Sequence, residues 1–114
     1  MLSQLFQSID DRDANRFSGF LSEDCTFRFG NQPAVTGRDA ARETVAGFFA
    51  SIGGLSHQLA EFWEVADGII CQGTVTYTRK DGSTLAVPFA NILKLRDGLI
   101  SDYRIFADTS ELYQ

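Results

Sequence analysis

The chain has 114 residues, 44% of them hydrophobic, and a formal net charge of −5. That length holds one domain, residues 1–114, with a sizeable core and little room for a second, and the composition argues against disorder. The acidic balance argues against nucleic acid and anionic membrane surfaces as partners, since both call for a basic face.

Leu2, Leu5, Phe6 and Ile9 recur at helical spacing and predict a first amphipathic helix. Its opening residues carry neither the basic start nor the long apolar stretch of a signal peptide, and no apolar run approaches the roughly 20 residues of a membrane span. A cytoplasmic protein is therefore expected. Asp10-Asp11-Arg12-Asp13 interrupts the helix, reads as a solvated turn, and offers an N-cap to a second short helix carrying Ala14, Phe17, Phe20 and Leu21.

Cys25-Thr26-Phe27-Arg28-Phe29 alternates apolar and polar residues, as a half-buried strand does. Thr36-Gly37-Arg38-Asp39 reads as a variant capping box ahead of a third helix through Ala41, Val45, Phe48, Phe49 and Ile52, which Gly53-Gly54 stops. Cys25 and Cys71 form no CxxC pattern, so both are read as free buried thiols, and no metal site or cofactor is expected.

Three Asp-Gly pairs, at 67–68, 81–82 and 97–98, then divide the chain into runs of about Ser56–Ala66, Ile69–Lys80, Ser83–Arg96 and Leu99–Ala107. Asp-Gly suits a type I′ turn, in which both central residues take positive φ, so the runs read as one antiparallel meander. Strands about twice the usual length must twist and coil. Gly73 inside the second run marks a kink, and Pro88 inside the third, unable to donate to a ladder, marks a bulge. The fold class expected is α+β: a cone-shaped curled sheet, a four-strand meander plus a short N-terminal strand, packed on three helices. With ten Phe residues, its interior should be Phe-lined and open into an apolar pocket.

Helix, helix, strand, the Thr36-Gly37-Arg38-Asp39-Ala40 opening of a third helix, and four long strands closing on Asp97-Gly98-Leu99-Ile100-Ser101-Asp102-Tyr103-Arg104 together resemble the nuclear transport factor 2-like superfamily, and within it the SnoaL-like group. Ketosteroid isomerases, polyketide cyclases and limonene epoxide hydrolases are relatives. The resemblance implies a homodimer through the sheet and a small hydrophobic ligand. It carries catalytic positions unevenly. Where the isomerases hold their base, this chain reads Thr26-Phe27-Arg28-Phe29-Gly30 without a carboxylate, and their first-helix Tyr falls near Leu5 or Phe6. Their second oxyanion donor aligns with Asn91, whose amide can donate the same hydrogen bond. The strand that would hold an epoxide hydrolase Arg and Asp reads Leu85-Ala86-Val87-Pro88-Phe89-Ala90, which is apolar. Asp108 matches the closing Asp of the cyclases.

Each residue also has a plainer reading. His57, the only histidine, could be a general base at neutral pH or a strand-end side chain bonded to backbone. Asn91, set among apolar neighbours, needs a partner in a ligand or in the protein. Asp108 could be an acid/base raised in pKa by an apolar pocket, or a cap for the tail. Trp63, Tyr77 and Tyr103 could converge around a ligand, with Phe17 and Phe29 lining the same interior, or could be ordinary packing. Two functions follow from these readings. One is a cofactor-independent acid/base isomerase, cyclase or hydrolase using His57, Asn91 and Asp108. The other is a non-catalytic ligand-binding or dimerisation module.

Overall fold

In the computed structural model, which describes residues 1–113, helices α1 (Leu2–Asp10) and α2 (Ala14–Ser18) precede strand β1 (Leu21–Phe29), a two-residue β2 (Val35–Thr36) and helix α3 (Arg38–Ala50). The meander follows as β3 (Gly54–Val65), β4 (Gly68–Thr78), β5 (Thr84–Arg96) and β6 (Leu99–Ala107). The fold is α+β. Its six-stranded sheet runs β2-β1-β6-β5-β4-β3, antiparallel except where β1 lies parallel to β6.

Alternation along each strand separates two faces. Cys71, Val75 and Tyr77 of β4, Phe89, Asn91 and Leu93 of β5, Tyr103 of β6 and Phe27 of β1 turn towards the helices and are buried. The helices answer with the apolar stripes read from the sequence: Leu2, Leu5, Phe6 and Ile9 of α1, Phe17 of α2, and Ala41, Val45 and Phe49 of α3. Asp13 caps α2, its carboxylate accepting from the Arg16 backbone N–H. No helix among the described residues is long and apolar enough to cross a membrane.

Local expectations change in four places. Only Asp97-Gly98 has positive φ at both residues (55° and 79°). Gly68 is needed instead because a side chain there would collide with the Leu93 carbonyl of β5, and the Asp81-Gly82 connection is a longer loop in which Asp81 accepts from the Ser83 backbone N–H. In place of a kink at Gly73, the irregularity is a bulge on the partner strand, between Leu59 and Glu61, and Gly73 gives way to it: a side chain there would collide with the Gln58 carbonyl. Pro88 makes no bulge. It pairs in register with Thr74, and β6 ends at Ala107 opposite Phe89, so no strand beyond needs its missing N–H. The capping box does not form either. Gly37, at φ 102°, is the N-cap of α3 without a side-chain bond, and Thr36 pairs with Thr26 in the sheet.

Candidate functional site

The concave face carries one polar patch in an apolar interior. Inward alternation of β5 buries Asn91 to 2% exposure, with Cys71 beside it on β4 and Ile105 on β6. Tyr103, two residues back along β6, is fully buried, its ring 5.6 Å from Phe17 and 5.4 Å from Phe27. The Asn91 Oδ1 and the Tyr103 hydroxyl have no hydrogen-bond partner among the described residues. Each such atom costs about 1–3 kcal/mol of desolvation. Burial pushes the Tyr103 phenol far above the usual tyrosine range and the Cys71 thiol up to about 11, so both stay protonated at neutral pH.

His57 stands one strand from this patch. Asp10 at the end of α1 accepts from its backbone N–H at 3.0 Å and meets its ring Nδ1 at 2.6 Å. A carboxylate cannot donate, so Nδ1 carries the proton, and Nε2 makes no hydrogen bond among the described residues. The ring stacks on Phe6 at 4.8 Å and meets the edge of Phe89 at 5.1 Å. Phe89 sits opposite Gly73, which has no side chain to keep the two rings apart across β4. Asn91 follows Phe89 on the same face, so His57, Phe89, Asn91 and Tyr103 trace a diagonal over the sheet. A hydrogen-bonded Asp-His pair beside unpaired donors and acceptors is an arrangement able to move a proton.

The tail covers one end of the interior. Phe29, Phe48 and Tyr77 form a chain of rings there, at 5.3 and 5.8 Å. Leu112 enters the core at 1% exposure. Arg79 holds the tail by donating to the carbonyls of Leu112 (2.9 Å) and Glu111 (3.0 Å), and the Tyr113 hydroxyl bonds the Ser51 hydroxyl at 2.7 Å. Burial, helped by Tyr113, pushes the Tyr77 phenol up to about 12.

The residues singled out in the sequence therefore divide. Asn91, Tyr103 and Phe17 come together in the interior, with His57 reached through Phe89, while Tyr77 and Phe29 stand at the closed end. Trp63 is not among them. It pairs with Ile70 on the outer face and is 47% exposed, because its strand phase points away from the helices. Asp108 is also apart: exposed, just past the end of β6, its carboxylate is bonded by the Ser110 side chain and accepts from the Ser110 backbone N–H at 2.9 Å, and together these lower its pKa rather than raising it. A groove of about 760 Å³ runs past it along the rim, lined by Phe29, Ile105 and Ala107 together with Arg28, Arg104 and Phe106. Asp10 escaped the sequence reading. Nothing in an Asp-rich turn indicates a partner 47 residues away.

The family model of the SnoaL-like domain matches residues 2–103. The chain belongs to the SnoaL-like family. Among solved structures it is similar to TerC co-crystallised with polyporic acid, at 21% identity and a TM-score of 0.83 over 98% of this chain and 92% of that one. A candidate SnoaL-like polyketide cyclase from Jannaschia sp. CCS1 superposes at 19% identity and a TM-score of 0.84, covering 98% and 85%. An epoxide hydrolase of M. tuberculosis resembling limonene epoxide hydrolase does so at 10% identity and 0.82, covering 98% and 83%. At these identities the shared property is the fold. No curated protein matches the chain.

Proposed function

We propose that this SnoaL-like protein binds a small hydrophobic molecule against the concave face of its sheet and transforms it by cofactor-independent acid/base chemistry. The supporting observation is the pair of unpartnered buried atoms, Asn91 Oδ1 and the Tyr103 hydroxyl. A fully protein-serving core would leave neither unbonded. Tyr103 donates to a carbonyl or enolate oxygen of the ligand, Asn91 accepts from a hydroxyl, and His57, oriented by Asp10, takes or returns a proton through Nε2. Such chemistry suits isomerisation, cyclisation or addition of water. It gives Asp108 no proton to carry, since that carboxylate already serves the tail turn. Leu112 closes the interior, so entry requires the tail to lift from Arg79.

Differential scanning fluorimetry with apolar ring ketones and phenols tests this reading. A compound that stabilises the wild type, and does so less in Asn91→Leu and Tyr103→Phe, supports it, because only ligand bound to the native state raises the melting temperature. A panel that leaves the wild type unmoved counts against it.

One observation favours the non-catalytic reading. The interior is filled, with Leu5, Phe17, Leu93, Tyr103 and Leu112 all at or near full burial, while the outer face exposes Trp63 and Phe106 beside Ile70 and Ile92. That apolar outer face suits a second copy of the chain and hence a homodimer through the sheet. Sedimentation of wild type against Trp63→Glu separates the two states. A dimer that becomes a monomer supports the pairing, and a wild-type monomer at every concentration removes it.

A further inference from the structure

We propose that the rim groove between the ends of β1 and β6 is a second site, which takes a small hydrophobic acid by its carboxylate. The parallel register sets Arg28 directly beside Arg104 on the outer face, with backbones about 5 Å apart. Both guanidinium groups are permanently charged, and like charges placed opposite one another in a sheet repel. An anion between them converts that repulsion into two charge-assisted contacts.

Among the described residues no carboxylate pairs with either arginine. Arg16, Arg42, Lys94 and Arg96 each have a carboxylate partner. Arg12, Arg38 and Arg79 donate to backbone carbonyls. Arg28 donates its Nε to the Gln32 carbonyl at 3.2 Å, and its terminal nitrogens make no hydrogen bond among the described residues. Arg104 makes no hydrogen bond among the described residues and lies over the Phe106 ring at 5.5 Å. Asp108, the carboxylate lining the groove, is taken up by its own turn. Asp102 lies one pair further along the same face, opposite Thr26 and Lys94, and forms no ion pair with either arginine.

The groove also has the right company for the arginines. Its volume of about 760 Å³ falls within the range of small-molecule sites. Phe29, Ile105 and Ala107 add apolar lining to the same groove as the two charges. A flat carboxylate matches the guanidinium fork, and a ring body fits the apolar lining and the Phe106 edge. The site is separate from the interior polar patch, since neither Asn91 nor Tyr103 lines it.

Isothermal titration calorimetry with naphthoate and with its neutral counterpart naphthamide tests the assignment. Naphthoate is expected to bind the wild type about tenfold more tightly than naphthamide. Arg28→Gln and Arg104→Gln should each weaken naphthoate about fivefold or more and leave naphthamide unchanged. Added salt should weaken naphthoate alone, which tests the charge in the wild-type protein without any variant. Equal affinity for acid and amide overturns the proposal. So does naphthoate binding that survives both Gln variants, or that is lost in Asn91→Leu, which would place the ligand in the interior. An Arg104→Gln variant that changes the oligomeric state without changing naphthoate affinity also overturns it, assigning the arginines to a contact between copies.

Discussion

The Asp10 carboxylate holds His57 at two points, ring and backbone, and so ties the end of the first helix to the edge strand of the sheet. The ring bond fixes the imidazole tautomer, and the backbone bond occupies an N–H that an edge strand would otherwise offer to another chain. Asp10→Ala should lower the unfolding free energy by about 1–3 kcal/mol in urea titrations, with Asp10→Asn recovering part of it, since an amide oxygen still accepts one of the two bonds. A loss of under about 0.5 kcal/mol in Asp10→Ala would show the pair to be no stronger than an exposed surface contact.

Removing the two unpartnered atoms should help the fold while harming the site. Tyr103→Phe keeps the ring against Phe17 and Phe27 and deletes only the hydroxyl. Asn91→Leu deletes the amide. Each is expected to be neutral or stabilising, by up to about 1 kcal/mol, the pattern of residues kept for activity rather than stability. Chemical denaturation of the two variants decides this. A clear loss of stability in both would mean that the polar atoms serve the protein itself.

The tail is expected to act as a strap. Leu112→Ala removes a fully buried side chain and should cost about 2–3 kcal/mol if the tail unfolds with the core. Arg79→Ala leaves Leu112 intact but frees the two carbonyls it holds. Faster hydrogen exchange at Leu112 together with faster ligand association in Arg79→Ala is the expected result. Unchanged association with a loosened tail would show that ligand enters elsewhere.

Alkaline pH should unfold the protein for a specific reason. Cysteine and tyrosine in the unfolded chain ionise near their model values of 9.0 and 10.0, whereas burial holds Cys71 to about 11 and Tyr77 to about 12 and raises Cys25 and Tyr103 as well. Above pH 9 the unfolded state therefore binds fewer protons than the folded one, and stability falls as pH rises. The stabilisation is complete below pH 9 and declines through the folded values of about 11 and 12. Melting temperatures measured across this interval check it. Tyr77→Phe should flatten the decline. A wild-type curve with no slope would contradict the burial of these groups.

Two glycine substitutions should behave oppositely. Gly73→Ala forces a Cβ into the Gln58 carbonyl of the bulged strand and should abolish folding or cost more than about 3 kcal/mol. Gly47→Ala sits mid-helix in α3 with open space around it and should stabilise by roughly 0.5–1 kcal/mol. Soluble expression and urea midpoints of the pair test the close approach of bulged β3 to β4 at Gly73.

The meander was readable because long alternating runs and Asp-Gly punctuation are local signals, and Phe89, Asn91, Leu93 and Tyr103 all face inward as that alternation requires. Pro88 and Gly73 were readable as special positions but not as to their cause, which depends on where a neighbouring strand ends or bulges. Trp63 shows the limit of residue type: an aromatic in a strand suggested a ligand contact, and phase alone put it outside. Asp10 shows the limit of composition. Its partner is fixed only once α1 has packed against β3, and no pattern within the turn records that. The Arg28–Arg104 pair arises from parallel pairing of the first strand with the last, and a meander read strand by strand does not contain it.

Ligand is expected to meet the protein at Asn91 and Tyr103. A nitrogen-edited NMR titration with α-tetralone, a bicyclic ketone, tests it most directly. The account predicts that the side-chain amide signals of Asn91 and the backbone signals around Tyr103 move together to saturation, and that Tyr103→Phe weakens the titration. Signals that move only along the rim or the outer face, with Asn91 unmoved at saturation, would contradict it.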